Sequence, residues 1–435
     1  MTNRTRASRP FARSCRGLID IAFDGGDITS DGGSLLARSA DLRLDLLRRV
    51  ARLLPDKRRQ ASVEHSVLNM LRQRVDALAL GYEDVNDHHE LRHDLGLQTA
   101  VGRDVRLAST SSLSRFENRA DRHAAWAIHR VLVDVFVEQL PADQDEIVLD
   151  FDATDDAVHG RQEGRFFHGY YDHYCFLPLY VFCGDWLLCA YLRPSNIDGA
   201  KHARPVLKLL VERIRQTRPN IRIIFRGDSG FCRWRMLRWC EKNDVGYIVG
   251  IAKNARLKRL AKPALARAER QYDLTGMPYR EFLGFEYRAG TWDKPRRVIA
   301  KAEHLDKGSN PRFVVTNLKG GDEDLYDFYC ARGESENRIK EQQLGLFADR
   351  TSCHAWWPNQ FRLLLSALAY TLFVAIRSIG LRGTRLARAQ VGTIRLKLLK
   401  IGAVVVRNTR RVRFMMSSAY PNKELFWLVA KKLAG

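Results

Sequence analysis

Two hydrophobic periods divide the chain. From Ser30 to about Leu140, apolar residues recur at helical intervals, as in Leu35, Leu36, Leu42, Leu46, Leu47, Leu53 and Leu54. Ser62 to Leu80 forms a second amphipathic stretch carrying Arg72 and Arg74, and Ser109–Phe116 has the hydroxyl-rich start of a capped helix with Arg115 in its early turns. At Glu146 the period shortens. Ile147–Thr154 predicts a buried strand, and strand-like runs follow at Leu177–Cys183 and Trp186–Leu192. A helix at 200–215, a strand at Ile221–Phe225, a helix at 233–243 and a strand at Tyr247–Ile251 complete a mixed α/β sheet. Residues 255–325 break into short segments separated by Gly, Asp, Lys and Pro, which predicts a β-rich insertion. The apolar run Leu363–Ile376 is too short to span a bilayer and predicts a core helix.

The predicted strands carry acids where apolar residues belong. Asp150 and Asp152 share one face of the first strand. Carboxylates there are costly unless they are paired or bind a cation. Asp228 follows the strand at 221–225 within Arg226-Gly-Asp-Ser-Gly-Phe231, and Glu336 opens a late helix among Tyr329, Arg332, Arg338 and Lys340. Taken singly, each acid reads as a cap or a surface charge, and Asp228 before Ser-Gly suits a turn. Together, Asp152, Asp228 and Glu336 suit a site in which Mg²⁺, with Mn²⁺ as a substitute, is held by carboxylate oxygens and polarises a phosphodiester. Asp150 rivals Asp152 as the first ligand, or stands behind it.

Charge points to the substrate. The 435 residues carry 72 Lys and Arg against 50 Asp and Glu, a net charge of +22, which favours a polyanion and above all DNA. Between Asp349 and Glu424 there is no acid, while Arg377–Arg413 holds eleven cations, among them Arg395 and Lys397, and predicts a phosphate-tracking surface. Arg115 at its helix start is either a phosphate contact or part of an ordinary capped helix. His159, His168 and His173, near Arg161, Arg165, Tyr170 and Tyr171, read as DNA contacts or packing before metal ligands, because Mg²⁺ does not favour imidazole. Eight scattered cysteines, none spaced C-x2-C, argue against structural zinc and fit a reduced, cytoplasmic setting. No secretory signal or membrane anchor is expected.

Several stretches resemble the DDE transposases of bacterial insertion sequences, nearest the group numbered thirteen-eighty and related to the class numbered four. They are Leu149–Asp156, Phe167-His-Gly-Tyr-Tyr171, Arg226–Phe231, Tyr329-x2-Arg332-x3-Glu336-Asn337 and Pro358-Asn-Gln-Phe-Arg362, within a likeness running from about 20 to 425. The resemblance implies an RNase H-like core with a β-strand insertion between the second Asp and the Glu. It also implies cut-and-paste transposition with Mg²⁺ and no covalent protein–DNA intermediate. Asp152, Asp228 and Glu336 would then be catalytic, and Tyr329 and Arg332 would hold phosphates near the cut. The related class carries Lys seven residues after the Glu; here position 343 is Gln, and Arg338 or Lys340 is the substitute on offer. An insertion-domain Trp stacks on a flipped base in related enzymes, which makes Trp292 a candidate beside its reading as a hairpin aromatic.

The expected organisation is a basic arm at 1–18, a helical end-binding region at 19–140, a catalytic core at 141–252 and 327–375, an insertion at 253–326 and a basic helical C-terminal region at 376–435. The expected partners are terminal inverted repeats and target DNA, with a homodimer in the synaptic complex. The competing functions are an RNase H-like structure-specific nuclease that never joins strands and a catalytically silent DNA-binding relative.

Overall fold

The computed structural model describes residues 21–435, so the arm expected at 1–18 lies outside the described part. Seven helices come first: α1 (Ser34–Leu44), α2 (Leu46–Leu53), α3 (Val67–Leu80), α4 (His88–Leu91), α5 (Leu95–Val101), α6 (Thr110–Asn118) and α7 (Arg122–Gln139). A short strand, β1 (Ile28–Thr29), precedes them. Side-chain oxygens of Ser66, Asp94, Ser109 and Asp121 cap α3, α5, α6 and α7 by accepting from amides three residues on. Each such cap contributes about 1 kcal/mol.

The sheet follows. Its strands are β2 (Glu146–Ala153), β6 (Leu179–Cys183), β7 (Trp186–Tyr191), β8 (Arg222–Gly227), β9 (Val245–Gly250), β10 (Tyr279–Tyr287), β11 (Arg296–Leu305) and β13 (Arg312–Thr316), in the spatial order β10-β11-β13-β9-β8-β2-β6-β7, with β12 (Gly308–Ser309) beside β11. Strands β2, β8 and β9 run parallel; every other pairing is antiparallel. Helices α8 (Ala203–Thr217) and α9 (Trp234–Lys242) make the crossovers that parallel strands require. Between β2 and β6, β3 (Asp156–Ala157), β4 (Phe166–His168) and β5 (His173–Phe176) form a separate small sheet.

The segment expected to be a β-rich insertion differs in two ways. It opens with a 21-residue helix, α10 (Ala255–Thr275), whose Leu257, Ala261, Ala264 and Ala268 fall at helical spacing and are buried. Its strands also join the main sheet, because β13 pairs with β9. The helical first region is likewise continuous with the rest. Its leucines share one hydrophobic core with Tyr180 and Phe182 of the sheet and with the helix α13 (Trp356–Ala375).

Helix α13 is the pillar of that core. Seventeen of its 20 residues are buried, so it belongs to the interior even though helix 356–380 is long and apolar enough to cross a membrane. Its buried amides and its serine are occupied, whereas the buried Tyr370 hydroxyl has no partner among the described residues. Asn359 exchanges two hydrogen bonds with the Cys353 backbone (2.8 and 2.7 Å), and Ser366 donates to Gln342 at 3.0 Å. Gln360 accepts from the Leu192 amide at 2.8 Å and donates to the Ala190 carbonyl at 2.9 Å, along the outer edge of β7. Buried Glu117 joins α13 to the first helices, accepting from Arg74 at 2.6 Å and Arg362 at 2.9 Å.

The C-terminal region is only partly helical. Helices α11 (Asp322–Cys330) and α12 (Gly333–Lys340) precede α13; after it come α14 (Val391–Ile394), the hairpin β14 (Ala403–Arg407) and β15 (Val412–Met416), and α15 (Lys423–Ala434). Strand β14 pairs with β1, and α15 packs on α1, so the last segments close over the first. The cations of this region do much of the closing. Arg395 donates to the Leu78, Ala79 and Gly345 carbonyls at 3.1, 2.7 and 2.5 Å, sealing the C-terminal end of α3. Its side chain lies 3.2 Å from where a Cβ at Gly81 would be, and Gly81 has φ +96°. Lys400 pairs with Asp31 at 2.8 Å, Arg407 bonds Gln98 and Thr99 at 3.0 Å each, and buried Arg377 pairs with Glu341 at 3.2 Å.

Two buried acids, Asp76 and Asp156, are left without a hydrogen-bond partner among the described residues. On α3, Asp76 has no hydrogen-bond partner for either oxygen, because Arg38 and Arg72 are both engaged by Asp41. Burial, followed by the charge of Asp41, raises its carboxyl from 3.8 to about 7. A raised pKa gives stability that is present below pH 3.8 and lost as pH rises through 7. Urea unfolding across pH should therefore show Asp76→Asn equal to wild type at the acid end. Its advantage should grow between pH 4 and 7 and then level off at no more than ~4 kcal/mol.

Candidate active site

Three elements meet at the carboxyl ends of the parallel strands. Asp150 and Phe151 on β2 stand in register with Arg226 and Gly227 on β8, so Asp152 and Asp228 leave neighbouring strands at nearly the same level. Gly227 ends β8, and Asp228 then starts a tight turn, its Oδ1 accepting from the Gly230 amide at 2.8 Å. Helix α12 packs across the end of β2 and brings Ser335 and Glu336 there; the Ser335 hydroxyl lies 3.4 Å from Asp152 Oδ2.

Arg332, just before α12, holds this cluster together. Its guanidinium lies 3.6 Å from Asp152 and 3.2 Å from Glu336. Asp152 is buried, and desolvation raises its carboxyl to about 6; Arg332 opposes the shift, while the like charges of Asp228 and Glu336 add to it. Burial raises Tyr329 as well, with Asp228 adding to the shift and Arg332 opposing it. The Tyr329 hydroxyl passes so close to Gly250 that a Cβ there would sit 2.6 Å from it and 2.9 Å from the Ser229 amide. The glycine ending β9 thus leaves the phenol its path to the Asp228 turn. Of the sequence-predicted residues, Asp152, Asp228, Tyr329, Arg332 and Glu336 lie at this one end of the sheet.

Asp150 has another role. Both its oxygens are taken by Arg226, at 2.5 and 2.8 Å, and Arg226 also donates to the Phe328 carbonyl at 2.5 Å. The pair ties β2 and β8 to the last turn of α11, one residue before Tyr329, and sets Asp150 in the framework behind Asp152. Sequence reasoning gave Arg226 no partner, although it is the buried cation of its strand and stands in register with Asp150.

The outer contacts divide. Lys340 and Arg115 are exposed, and Lys397 is half-buried. Arg338 is paired with Asp185 at 3.0 Å. Gln343 donates to the Asp155 carbonyl at 2.9 Å, an anchoring role in place of a cation. Two expectations are corrected. Arg395 is occupied by backbone carbonyls and not turned toward DNA. Trp292 is buried, edge-on to Tyr287 at 5.6 Å with the Arg296 guanidinium 5.4 Å from its ring, and offers no face to a base.

Among the described residues no three acidic, imidazole or thiol groups sit close enough to form a ready-made cation cage. The donor chemistry nevertheless suits a hard cation: three acids close enough to repel one another, with a guanidinium between two of them. The arrangement sets strand-borne aspartates facing a helix-borne glutamate. The chain belongs to the family described as transposase DDE domain group 1, whose sequence profile matches residues 12–435. No curated protein matches it. Among solved structures, a piggyBac transposase synaptic complex with hairpin DNA aligns with a TM-score of 0.42 and 10% identity over 85% of this chain and 79% of that one, a likeness too slight to build on.

The two strand acids should separate by stability. Asp150→Ala leaves the Arg226 guanidinium buried and unpaired and should cost ~3–5 kcal/mol. Asp152→Asn, which removes a charge that burial disfavours, should cost nothing at neutral pH in a chelator-treated sample. Urea titrations of both variants check this. Arg395→Ala should lower the melting temperature while leaving DNA affinity unchanged by anisotropy, because its donors face carbonyls.

Proposed function

We propose that this chain is a cut-and-paste transposase that cleaves DNA at the terminal inverted repeats of its element and joins the freed 3′-hydroxyl ends to target DNA. The observation that carries the reading is the meeting of Asp152, Asp228 and Glu336 around Arg332 in a chain of the transposase family. The strand order β7-β6-β2-β8-β9, with β2, β8 and β9 parallel, supports an RNase H-like core. The net charge of +22 supports DNA as the substrate.

Asp152, Asp228 and Glu336 would hold Mg²⁺, or Mn²⁺ in its place. Bound there, the ions polarise the scissile phosphodiester and activate water or a 3′-hydroxyl. The protein's own groups divide the remaining work. Asp152 is fixed by its strand. Glu336, about half exposed at the first turn of α12, would complete the set from the solvent side. Arg332 neutralises the acids until a phosphate arrives; its planar fork then suits two phosphate oxygens. The Tyr329 hydroxyl, kept protonated by burial, donates to the same phosphate. Joining two ends needs two sites held together, so a homodimer on DNA is part of the reading.

Glu336→Ala should lower Mg²⁺-dependent cleavage of DNA carrying the sequences that flank the gene by at least ~10²-fold. Binding of the same DNA should persist. Undiminished cleavage would sink the assignment, and strand-transfer products in the wild-type reaction separate a transposase from a nuclease.

A further inference from the structure

The segment between the first two strands of the core is built like a blade. Strands β3 and β5 pair in the same register that pairs β2 with β6, Asp156 opposite Phe176 continuing Asp152 opposite Tyr180. The small sheet is therefore an extension of the β2–β6 ladder beyond the end that carries Asp152. Tyr171, in its β4–β5 turn, feels the charges of Asp155 and Asp152. The base of the blade is fixed. Phe176 packs edge-on to Trp356 at 5.5 Å, Ser195 donates to the Phe166 carbonyl at 2.8 Å, and His173 lies 2.9 Å from Asp155.

Its outer part is aromatic and open. Phe166, Phe167 and Tyr174 are each about half exposed, and Tyr170 at the tip is 85% exposed. Phe167 and Tyr174 are directly cross-strand, their rings 5.7 Å apart and edge-to-face. The Arg165 guanidinium lies 4.4 Å from the centre of the Tyr174 ring. Leaving these rings partly in water beside the carboxylates sacrifices a share of the ~1.5–3 kcal/mol that full burial of a large apolar side chain returns. A cluster of that kind marks a surface that something covers.

We propose that this blade is a stacking platform for unpaired DNA bases next to the scissile phosphate, with Arg161 and Arg165 holding the strand's phosphates. The inference rests on the reading of the neighbouring carboxylates as a DNA-cleaving site. Chemistry selects the occupant. Flat π-faces accept any unstacked base, and arginines among them match a phosphate backbone. A second copy of this chain fits poorly, because a two-fold contact would set the same arginines against each other.

The test uses a forked duplex with 2-aminopurine in its unpaired arms and a fully paired duplex of the same sequence. The proteins are wild type, Tyr170→Ala, Tyr170→Phe and the double variant Phe167→Ala with Tyr174→Ala. Wild type and Tyr170→Phe should quench 2-aminopurine on the fork. The alanine variants should lose the quench and bind the fork about tenfold more weakly, with duplex affinity unchanged. Tyr170→Ala changes a solvent-exposed turn residue, so it reports even if the double variant misfolds. Alanine variants that quench like wild type would overturn the proposal. So would equal losses on fork and duplex, or a changed sedimentation profile with the quench intact, which would mean docking of a second copy. Failure of wild type to bind either DNA would overturn this inference and the cleavage reading together; normal cleavage without a quench would overturn only the stacking.

Discussion

Everything in this molecule depends on how buried charge is balanced. The sheet places Asp150 and Asp152 two residues apart on a strand with little access to water, and each is treated differently. Asp150 receives a bidentate guanidinium and becomes structural. Asp152 receives only the looser contact of Arg332, shared with Glu336, and its carboxyl is left raised. That difference separates a scaffold acid from a reactive one. A fully satisfied carboxylate has nothing to gain from a cation, whereas an under-satisfied one near two others does.

The same balance holds the chain's ends together. Cations of the last region reach Asp31, Glu341, Gln98 and the carbonyls that end α3. A surface reading of that basic run credited all of it to DNA. The structure divides it: Arg377, Arg395, Lys400 and Arg407 are spent inside the protein, whereas Arg410, Arg411 and Arg413 at the β14–β15 hairpin remain exposed. Closing the last segments over the first makes the helical region and the main sheet one body around α13.

Sequence reading picked out the residues that the fold brings together, Asp152, Asp228, Arg332 and Glu336, because their contexts are local: acids on apolar strands, a Gly-Asp-Ser-Gly turn, an acid four residues after an arginine. It reached the helical first region and the alternation of strands and helices through periodicity alone. What escaped was long-range or masked. The partner of Asp150 lies on another strand, and no spacing rule joins them. Arg395 reads as a surface cation until the carbonyls of α3 are beside it. Trp292 reads as exposed because its cover, Tyr287 and Arg296, comes from neighbouring strands. Helix α10 was hidden by Pro263 and by its dense cations, although Asn254 caps its start and its small apolar residues keep helical spacing.

Gln360 also closes part of the sheet's margin. By bonding Leu192 and Ala190 it occupies backbone groups along the outermost strand, and His129 accepts from the Ala190 amide at 3.2 Å from the other side. A sheet margin plugged in this manner gives no template for a strand from another molecule. Crowding many copies onto one stretch of polymer is the condition under which open margins seed insoluble fibres. One amide side chain on the central helix therefore blocks pairing along part of this margin, a service separate from both folding and chemistry.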